Sequence, residues 1–208
     1  MNAAPQREGM LVVVSGPSGS GKTTLCRAAA DVEPVYYTTS CTTRAQRPGE
    51  AHGRDYFFLS EEEFSERVEV GDFLEHAHVH GRRYGSLKSQ VLPMLAEGRD
   101  VIMDLDIQGA AQLRSCTDPT IRRALVDVFI MVDGIDELRS RLSGRRSESE
   151  DELALRLRNA MSEMEHWQSY TYTLVSQTRE ADLSAFRSLL CAERLRSTRL
   201  RLPDQVVP

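Results

Sequence analysis

The residues with the clearest chemical meaning in this chain form a glycine-rich loop near its N-terminus. After the apolar run Leu11 to Val14, the sequence continues with Gly16-Pro17-Ser18-Gly19-Ser20-Gly21-Lys22-Thr23-Thr24. This G-x-x-x-x-G-K-[ST] spacing, between a strand and a helix, turns backbone N–H groups toward phosphate oxygens. The lysine then reaches the β- and γ-phosphates, and the threonine hydroxyl binds Mg²⁺. The loop therefore predicts a nucleoside triphosphate site with Lys22 as a catalytic cation and Thr23 as a metal ligand.

Asp104 is the second candidate metal ligand. It ends the apolar run Val101-Ile102-Met103, so we expect it at the carboxyl end of a buried strand. Ligands of open parallel sheets bind at that edge, and a carboxylate there would lie beside Mg²⁺. The alternative is an ordinary turn residue, because aspartate is common where strands end.

A second anion-binding region is predicted between residues 40 and 86. Arg44 and Arg47 stand three positions apart beside threonine hydroxyls, and Tyr56 follows. Two guanidinium groups and a phenol suit a phosphate. Glu75, Tyr84 and Ser86 add one carboxylate and two hydroxyls further along the chain. Together these residues predict a socket for a second phosphorylated substrate.

Alternating strands and helices must position these residues. Apolar runs predict buried strands at Leu11–Val14, Val101–Met103, Val126–Val132 and Tyr172–Val175. Helical segments are expected at 22–31, 107–115, 135–143, 151–168 and 181–198. This order favours right-handed βαβ crossovers and an α/β fold, a three-layer α/β/α sandwich around a parallel core sheet. We expect one domain over residues 1–208, with a core at about 10–36, 91–138 and 165–200, and irregular ends at 1–9 and 202–208.

Two segments interrupt this rhythm. Residues 37–90 contain short alternating runs between glycine-containing turns, which predicts an inserted small antiparallel subdomain. Within it, Ser60 and Glu63 form a predicted capping box. Residues 139–160 contain a polar, arginine-bearing loop typical of a mobile lid, or of a plain solvated loop. Arg141, Arg145 and Arg156 of this segment are candidate catalytic cations over the transferred phosphoryl group.

The charge, the cysteines and the lengths of the apolar runs argue against several classes of protein. The 208 residues carry a formal net charge of −5, which argues against a nucleic-acid coat or a polybasic membrane surface. The four cysteines are scattered and lack metal-ligand spacing, so we expect reduced thiols. No apolar run is long enough to span a bilayer, which needs about 20 residues. We predict a cytoplasmic protein without nucleic-acid or membrane partners, and expect the arginines of residues 194–201 to be mostly solvated.

Several motifs in order make the chain resemble the guanylate kinase family. They are the glycine-rich loop, T-T-R-x-x-R-P-G-E-x-x-G-x-D-Y-x-F from Thr42, F-L-E-x-A from Phe73, R-Y-G-S from Arg83, D-x-D-x-Q-G from Asp104 and R-x-x-S-E-x-E from Arg146. The resemblance runs from about residue 10 to 175. It implies a P-loop kinase that transfers phosphate from ATP to GMP, and also to dGMP, with Mg²⁺.

The same resemblance implies residue roles. Gly16 to Thr24 would hold ATP, and Arg44, Arg47, Tyr56 and Tyr84 would hold the GMP phosphate, with Arg44 also a catalytic cation. Glu75 would accept hydrogen bonds from N1–H and the 2-amino group of guanine, and the Ser40 hydroxyl would contact O6. Ser86, Asp104 and Asp106 would lie close to the base or the phosphates. A carboxylate on this edge suits guanine and leaves N1 of adenine unpaired, which supports selectivity.

The sequence leaves some alternatives open. Ser176 and Gln177 replace the asparagine that the family usually has near the adenine of ATP, so we expect an altered affinity for ATP without loss of activity. A ribose 1,5-bisphosphate phosphokinase of the same fold, or a non-catalytic guanylate-kinase-like interaction module, is the rival interpretation. His76, His78 and His80 share one strand face and are either metal ligands or solvated residues. A monomer and a homodimer are both compatible with the sequence.

Overall fold

The computed structural model describes residues 6–79, 81–143 and 150–201. Its strands are β1 (Gln6–Arg7), β2 (Leu11–Ser15), β3 (Val35–Tyr37), β4 (Cys41–Thr42), β5 (Phe57–Phe58), β6 (Phe73–Val79), β7 (Arg82–Leu87), β8 (Asp100–Asp104), β9 (Leu125–Val132), β10 (Tyr172–Ser176) and β11 (Leu200–Arg201). Its helices are α1 (Lys22–Val32), α2 (Glu61–Glu69), α3 (Lys88–Ala96), α4 (Ile107–Ser115), α5 (Pro119–Ala124), α6 (Ile135–Ser143), α7 (Glu150–Met164) and α8 (Arg179–Arg194), and Glu165–Ser169 form a 3₁₀ turn.

Five parallel strands form the core sheet, in the order β10-β9-β2-β8-β3. All five residues of β2 are buried, because helices cover both faces of the sheet. On one face Val12 and Ile102 pack with residues of α1 and α8. On the other face Val13 and Met103 pack with residues of α3, α4 and α5. The predicted three-layer α/β/α fold is confirmed.

Two expectations about the periphery are wrong. Gln6–Arg7 were predicted to be irregular, but they pair with Leu200–Arg201 as an antiparallel ladder. Arg194 and Arg199 were expected to be solvated, but Arg199 is only 4% exposed and bonds Glu193 at 3.2 Å. The fully buried Asp100 carboxylate explains the positions of Arg7 and Arg194, since it accepts a hydrogen bond of 2.8 Å from each of them. A buried carboxylate requires such partners, and these bonds connect β1 and α8 to β8 of the core sheet.

The segment predicted as an insertion contains a separate four-stranded sheet in the order β5-β4-β7-β6. The β4–β7 and β6–β7 pairs are antiparallel as expected, but the two-residue strands β4 and β5 run parallel. The capping box at the start of α2 is confirmed, because the Ser60 hydroxyl accepts from the Glu63 N–H and the Glu63 carboxylate accepts from the Ser60 N–H.

Helices α6 and α7 flank the predicted lid loop. Leu138 and Leu142 of α6 pack against Leu157 and Ala160 of α7 in a separate apolar cluster. Arg145, one of the predicted catalytic cations, lies outside the described residues. None of the helices in the described ranges combines the length and apolar composition that a membrane crossing requires.

Candidate active site

The glycine-rich loop leaves the carboxyl end of β2 and returns into α1 at Lys22. Gly21, which precedes the helix, has a left-handed backbone with φ of 91°, a conformation that favours glycine. Gly16 lies so close to β9 that a Cβ atom there would be 2.5 Å from the Ile130 carbonyl oxygen. These constraints hold a turn of backbone N–H groups at the positive end of α1, the geometry of a phosphate-binding loop.

Lys22, Thr23 and Asp104 converge beside this loop. The Lys22 ammonium donates to the Gly16 carbonyl at 3.2 Å, and the Thr23 hydroxyl donates to the Asp104 carboxylate. Asp104 ends β8, the strand next to β2, so the parallel sheet itself brings it to the loop. A hydroxyl and a carboxylate oxygen are hard ligands of the kind that Mg²⁺ prefers. The described residues contain no group of three or more His, Cys, Asp or Glu side chains suited to a metal.

A cleft of about 350 Å³ lies between the loop and the inserted sheet. One wall is formed by Gly16, Ser18, Gly19, Lys22 and Thr23, with Asp104 and Asp106 at the strand end, and the opposite wall by Ser40, Tyr56, Glu75, Tyr84 and Gly85. The structure thus brings most of the predicted donor and acceptor residues to one cavity. Ser86 is buried next to it and pairs with Glu75 across β6 and β7.

Glu75 is an unusual residue for a strand because its side chain is 4% exposed. Burial, which disfavours the charged carboxylate, raises the pKa of Glu75 to about 7, and the nearby charge of Asp106 adds to this. Asp106 has a structural contact as well, since its carboxylate accepts the Gly109 N–H at 2.9 Å and caps α4. A buried carboxylate that faces a cleft is well suited to accept hydrogen bonds from a ligand.

Arg44 already has an anionic partner. Its guanidinium donates to both carboxylate oxygens of Glu50, at 2.8 and 3.0 Å, and lies over the Tyr56 ring at 5.3 Å. Glu50 also accepts the backbone N–H of Arg47 at 2.9 Å, while the Arg47 side chain is exposed. Burial raises the pKa of Tyr56 to about 12, so this phenol keeps its proton and can donate. The predicted phosphate socket is therefore organised around Glu50.

A second cleft of about 360 Å³ lies on the other side of the glycine-rich loop, and includes Ser20, Gly21, Thr24 and Ala28. Arg141 of α6 reaches it and donates to the Ser20 carbonyl at 3.2 Å and to the Ser176 hydroxyl at 3.0 Å. Ser176 in turn donates to Asp182 at 2.7 Å. Ser176, which departs from the family pattern, thus joins Arg141 and Asp182 in one hydrogen-bonded group next to the loop.

Helix α7 also contacts the glycine-rich loop. The Glu163 carboxylate accepts the Ser18 backbone N–H at 3.0 Å, and Arg156 donates to the Ser18 hydroxyl at 3.4 Å. An N–H that the motif directs at phosphate thus bonds a carboxylate of the chain. Sequence reasoning missed Glu163, because no local pattern marks a glutamate in the last turn of a long amphipathic helix.

Sequence reasoning also missed a polar connection between the two walls. Arg27 of α1 makes this connection through an ion pair with Asp55 of the inserted segment at 2.9 Å. Within the core sheet, Tyr37 of β3 donates to Asp104 of β8 at 3.4 Å. Burial raises the pKa of Tyr37, so its hydroxyl stays protonated. Arg27 lies six residues after Gly21, so its position on the helix was a usable signal, whereas its partner Asp55 became evident only from the fold.

A parallel α/β sheet with this loop, a carboxylate at the adjacent strand end and a polar socket across the cleft defines a P-loop kinase. The family model for guanylate kinase matches residues 8–193. Guanylate kinase of Paramagnetospirillum magneticum is 41% identical over 202 residues, 96% of this chain and 92% of that protein. Guanylate kinase of Clostridium tetani is 37% identical over 194 residues, 93% and 91% of the two chains. A crystal structure of guanylate kinase from Anaplasma phagocytophilum superimposes with a TM-score of 0.80 at 28% identity, covering 95% of this chain and 92% of that one. The chain belongs to the guanylate kinase family.

Proposed function

We propose that this chain catalyses ATP + GMP → ADP + GDP by in-line transfer across the cleft between the glycine-rich loop and the inserted sheet. A phosphate oxygen of GMP attacks the γ-phosphorus of ATP, and ADP leaves with the bridging oxygen. The observation that carries this proposal is the shared cleft, lined on one side by Lys22 and Thr23 and on the other by Tyr56, Glu75 and Tyr84. Such transfer depends on positioning and on cations, not on covalent chemistry by the protein.

On the acceptor side, Arg44, Arg47, Tyr56 and Tyr84 bind the GMP phosphate. GMP then competes with Glu50 for the Arg44 guanidinium, so the socket is held in shape until the substrate arrives. Glu75 accepts from N1–H and the 2-amino group of guanine, and the Ser40 hydroxyl donates to O6. Ser86 and Asp106 support the base from the buried side. The sugar 2′-hydroxyl has no role in this arrangement, so dGMP is also an acceptor.

On the donor side, backbone N–H groups of the loop and the Lys22 ammonium bind the ATP phosphates. Thr23 and Asp104 would hold Mg²⁺, which neutralises phosphate charge when it is bound. Arg141, Arg145 and Arg156 are the candidate cations for the transferred phosphoryl group. Of the two described arginines, Arg156 contacts Ser18, which lines the shared cleft, whereas Arg141 contacts Ser20 beside the second cleft. The second cleft, with Ser176 and Gln177, would take the donor base.

A coupled assay that follows ADP formation tests this proposal, with GMP, dGMP, AMP, UMP and ribose 1,5-bisphosphate as separate acceptors. We expect turnover with GMP and dGMP, and a loss of at least about 100-fold in kcat/KM with AMP, because its N1 cannot donate to Glu75. Turnover with ribose 1,5-bisphosphate that equals turnover with GMP would contradict the proposal. The same would follow from an inactive chain that binds GMP, as expected for an interaction module.

A further inference from the structure

Gly109, the third residue of α4, lies against the Glu75 carboxylate. A Cβ atom built on Gly109 would be 2.5 Å from Oε2 of Glu75 and 3.3 Å from Oδ1 of Asp106. Contacts of that kind begin at about 3.4 Å, so any side chain at residue 109 would have to move the carboxylate by roughly 1 Å. Gly109 is not among the glycines with positive φ, so the backbone conformation does not require glycine. Glycine inside a helix is less favourable than alanine, and the close approach of Glu75 explains why it stands here.

Helix α4 cannot move away from this contact at low cost, because a clamp fixes it to β6. The side-chain amide of Gln112 accepts the His76 N–H at 3.2 Å and donates to the His76 carbonyl at 2.6 Å. Gln112 lies one helical turn after Gly109, and His76 is the neighbour of Glu75 on β6. Strand β6 is at the edge of its sheet, so its free backbone groups are available for this pairing.

Asp106 fixes the other end of the contact. Its carboxylate caps the first turn of α4 through the Gly109 N–H, so the backbone of residue 109 is held on both sides. The Glu75 side chain is then the part that yields when residue 109 becomes larger. In the present arrangement its carboxylate lies at the N-terminal turn of α4, where the partial positive charge of the helix favours an anion.

We propose that Gly109 is a positioning residue for guanine recognition, because its missing side chain lets the Glu75 carboxylate lie against α4 at the depth that the guanine edge requires. The inference rests on the proposed function, in which Glu75 accepts two hydrogen bonds from guanine. Two parallel hydrogen bonds tolerate a displacement of 1 Å poorly, since both donor distances and angles change together. Gly109 itself touches no substrate in this account.

The test is the Gly109→Ala variant, assayed with GMP and with IMP, which lacks the 2-amino group. We expect the KM for GMP to rise at least tenfold and the KM for ATP to stay within twofold. The preference for GMP over IMP, as a ratio of kcat/KM, should fall at least threefold, because the contact to the 2-amino group is lost first. An unchanged KM for GMP, or an equal loss with both acceptors, would overturn the inference.

Ala111→Gly is the matched control. Ala111 is exposed on the same helix, so this variant changes helix propensity without touching Glu75, and its KM for GMP should stay within twofold of the wild type. If Gly109→Ala does not fold, the double variant Gly109→Ala/Glu75→Asp tests whether the contact with Glu75 is the cause. The shorter aspartate side chain relieves that contact, so the double variant should fold. A double variant that also fails to fold would overturn the inference.

Glu75→Gln separates this inference from the proposed function. If Glu75→Gln leaves the KM for GMP unchanged, guanine is recognised elsewhere and the proposed function of Glu75 fails. If Glu75→Gln raises the KM for GMP while Gly109→Ala does not, the role of Glu75 stands and the positioning role of Gly109 is overturned.

Discussion

The two walls of the cleft are built in different ways. The donor wall comes mainly from residues 16–24, with Asp104 and Asp106 at the strand end, and presents mainly backbone N–H groups held by glycine geometry. The acceptor wall draws side chains from residues 40 to 86, and its charges are already restrained: Glu50 binds Arg44, and burial raises the pKa of Glu75 to about 7. Triphosphate binding is thus encoded locally, whereas base selection depends on the packing of distant elements. Substitutions should therefore separate cleanly into donor-side and acceptor-side effects.

The largest effect is expected for Lys22→Ala, which removes the donor-side cation. We expect kcat to fall at least about 100-fold, as for the loss of other preorganised groups that stabilise transition-state charge. The affinity for GMP, measured by calorimetry, should stay within twofold, because Lys22 belongs to the opposite wall. Normal turnover in this variant would exclude the loop as the donor site.

Glu75→Gln is the acceptor-side counterpart. A hydrogen bond to a charged group contributes about 1.5–3 kcal/mol, so we expect the KM for GMP to rise about 10- to 100-fold, and discrimination against AMP to relax. Steady-state kinetics with both acceptors measure this. Glu69→Gln, at an exposed position of α2, is the control and should match the wild type.

The ionisation of Glu75 predicts that the KM for GMP depends on pH and that the KM for ATP does not. The ionised carboxylate binds guanine, so the KM for GMP should fall as the pH rises from 6 to 8, through the pKa of about 7. The KM for ATP should show no such step, and Glu75→Gln should abolish it. A profile that Glu75→Gln leaves intact would assign the titration to another group.

The free energy of unfolding should decrease as the pH rises, whereas the affinity for GMP should increase. The pKa of Glu75 is raised in the folded protein, from 4.5 to about 7, so its favourable contribution to stability is complete below pH 4.5 and is lost as the pH rises through 7. The difference amounts to about 3 kcal/mol at most. Glu75→Gln should therefore have a higher Tm than the wild type at pH 8 and a similar Tm at pH 4.5, as measured by thermal unfolding. A lower Tm at pH 8 would contradict the assigned pKa.

The smallest effect is expected for Glu163→Gln. Its carboxylate bonds the Ser18 N–H and repels phosphate, so donor binding has to displace it. Removing the charge should lower the KM for ATP about twofold to fivefold and leave the KM for GMP unchanged, since a partly exposed charge contributes little. A higher KM for ATP would show that Glu163 supports donor binding instead.

The sequence predicts the parts of this molecule that local patterns encode. Four core strands, the capping box at Ser60 and the convergence of Thr23 with Asp104 follow from apolar runs and motif spacing. Strand β3 was missed because three residues after Pro34 give no periodic signal. The bonds of Glu163 and Gln112 and the contact between Gly109 and Glu75 could not be predicted, because they join elements far apart in sequence and depend on tertiary packing.

The separation of the two walls is tested most directly by four calorimetric titrations. GMP and a non-hydrolysable ATP analogue with Mg²⁺ are each titrated into Lys22→Ala and Glu75→Gln, with the wild type as reference. We predict that Glu75→Gln weakens GMP binding at least tenfold and keeps the affinity for the ATP analogue within twofold, and that Lys22→Ala does the reverse. Weakened binding of both nucleotides in either variant would contradict two independently encoded half-sites.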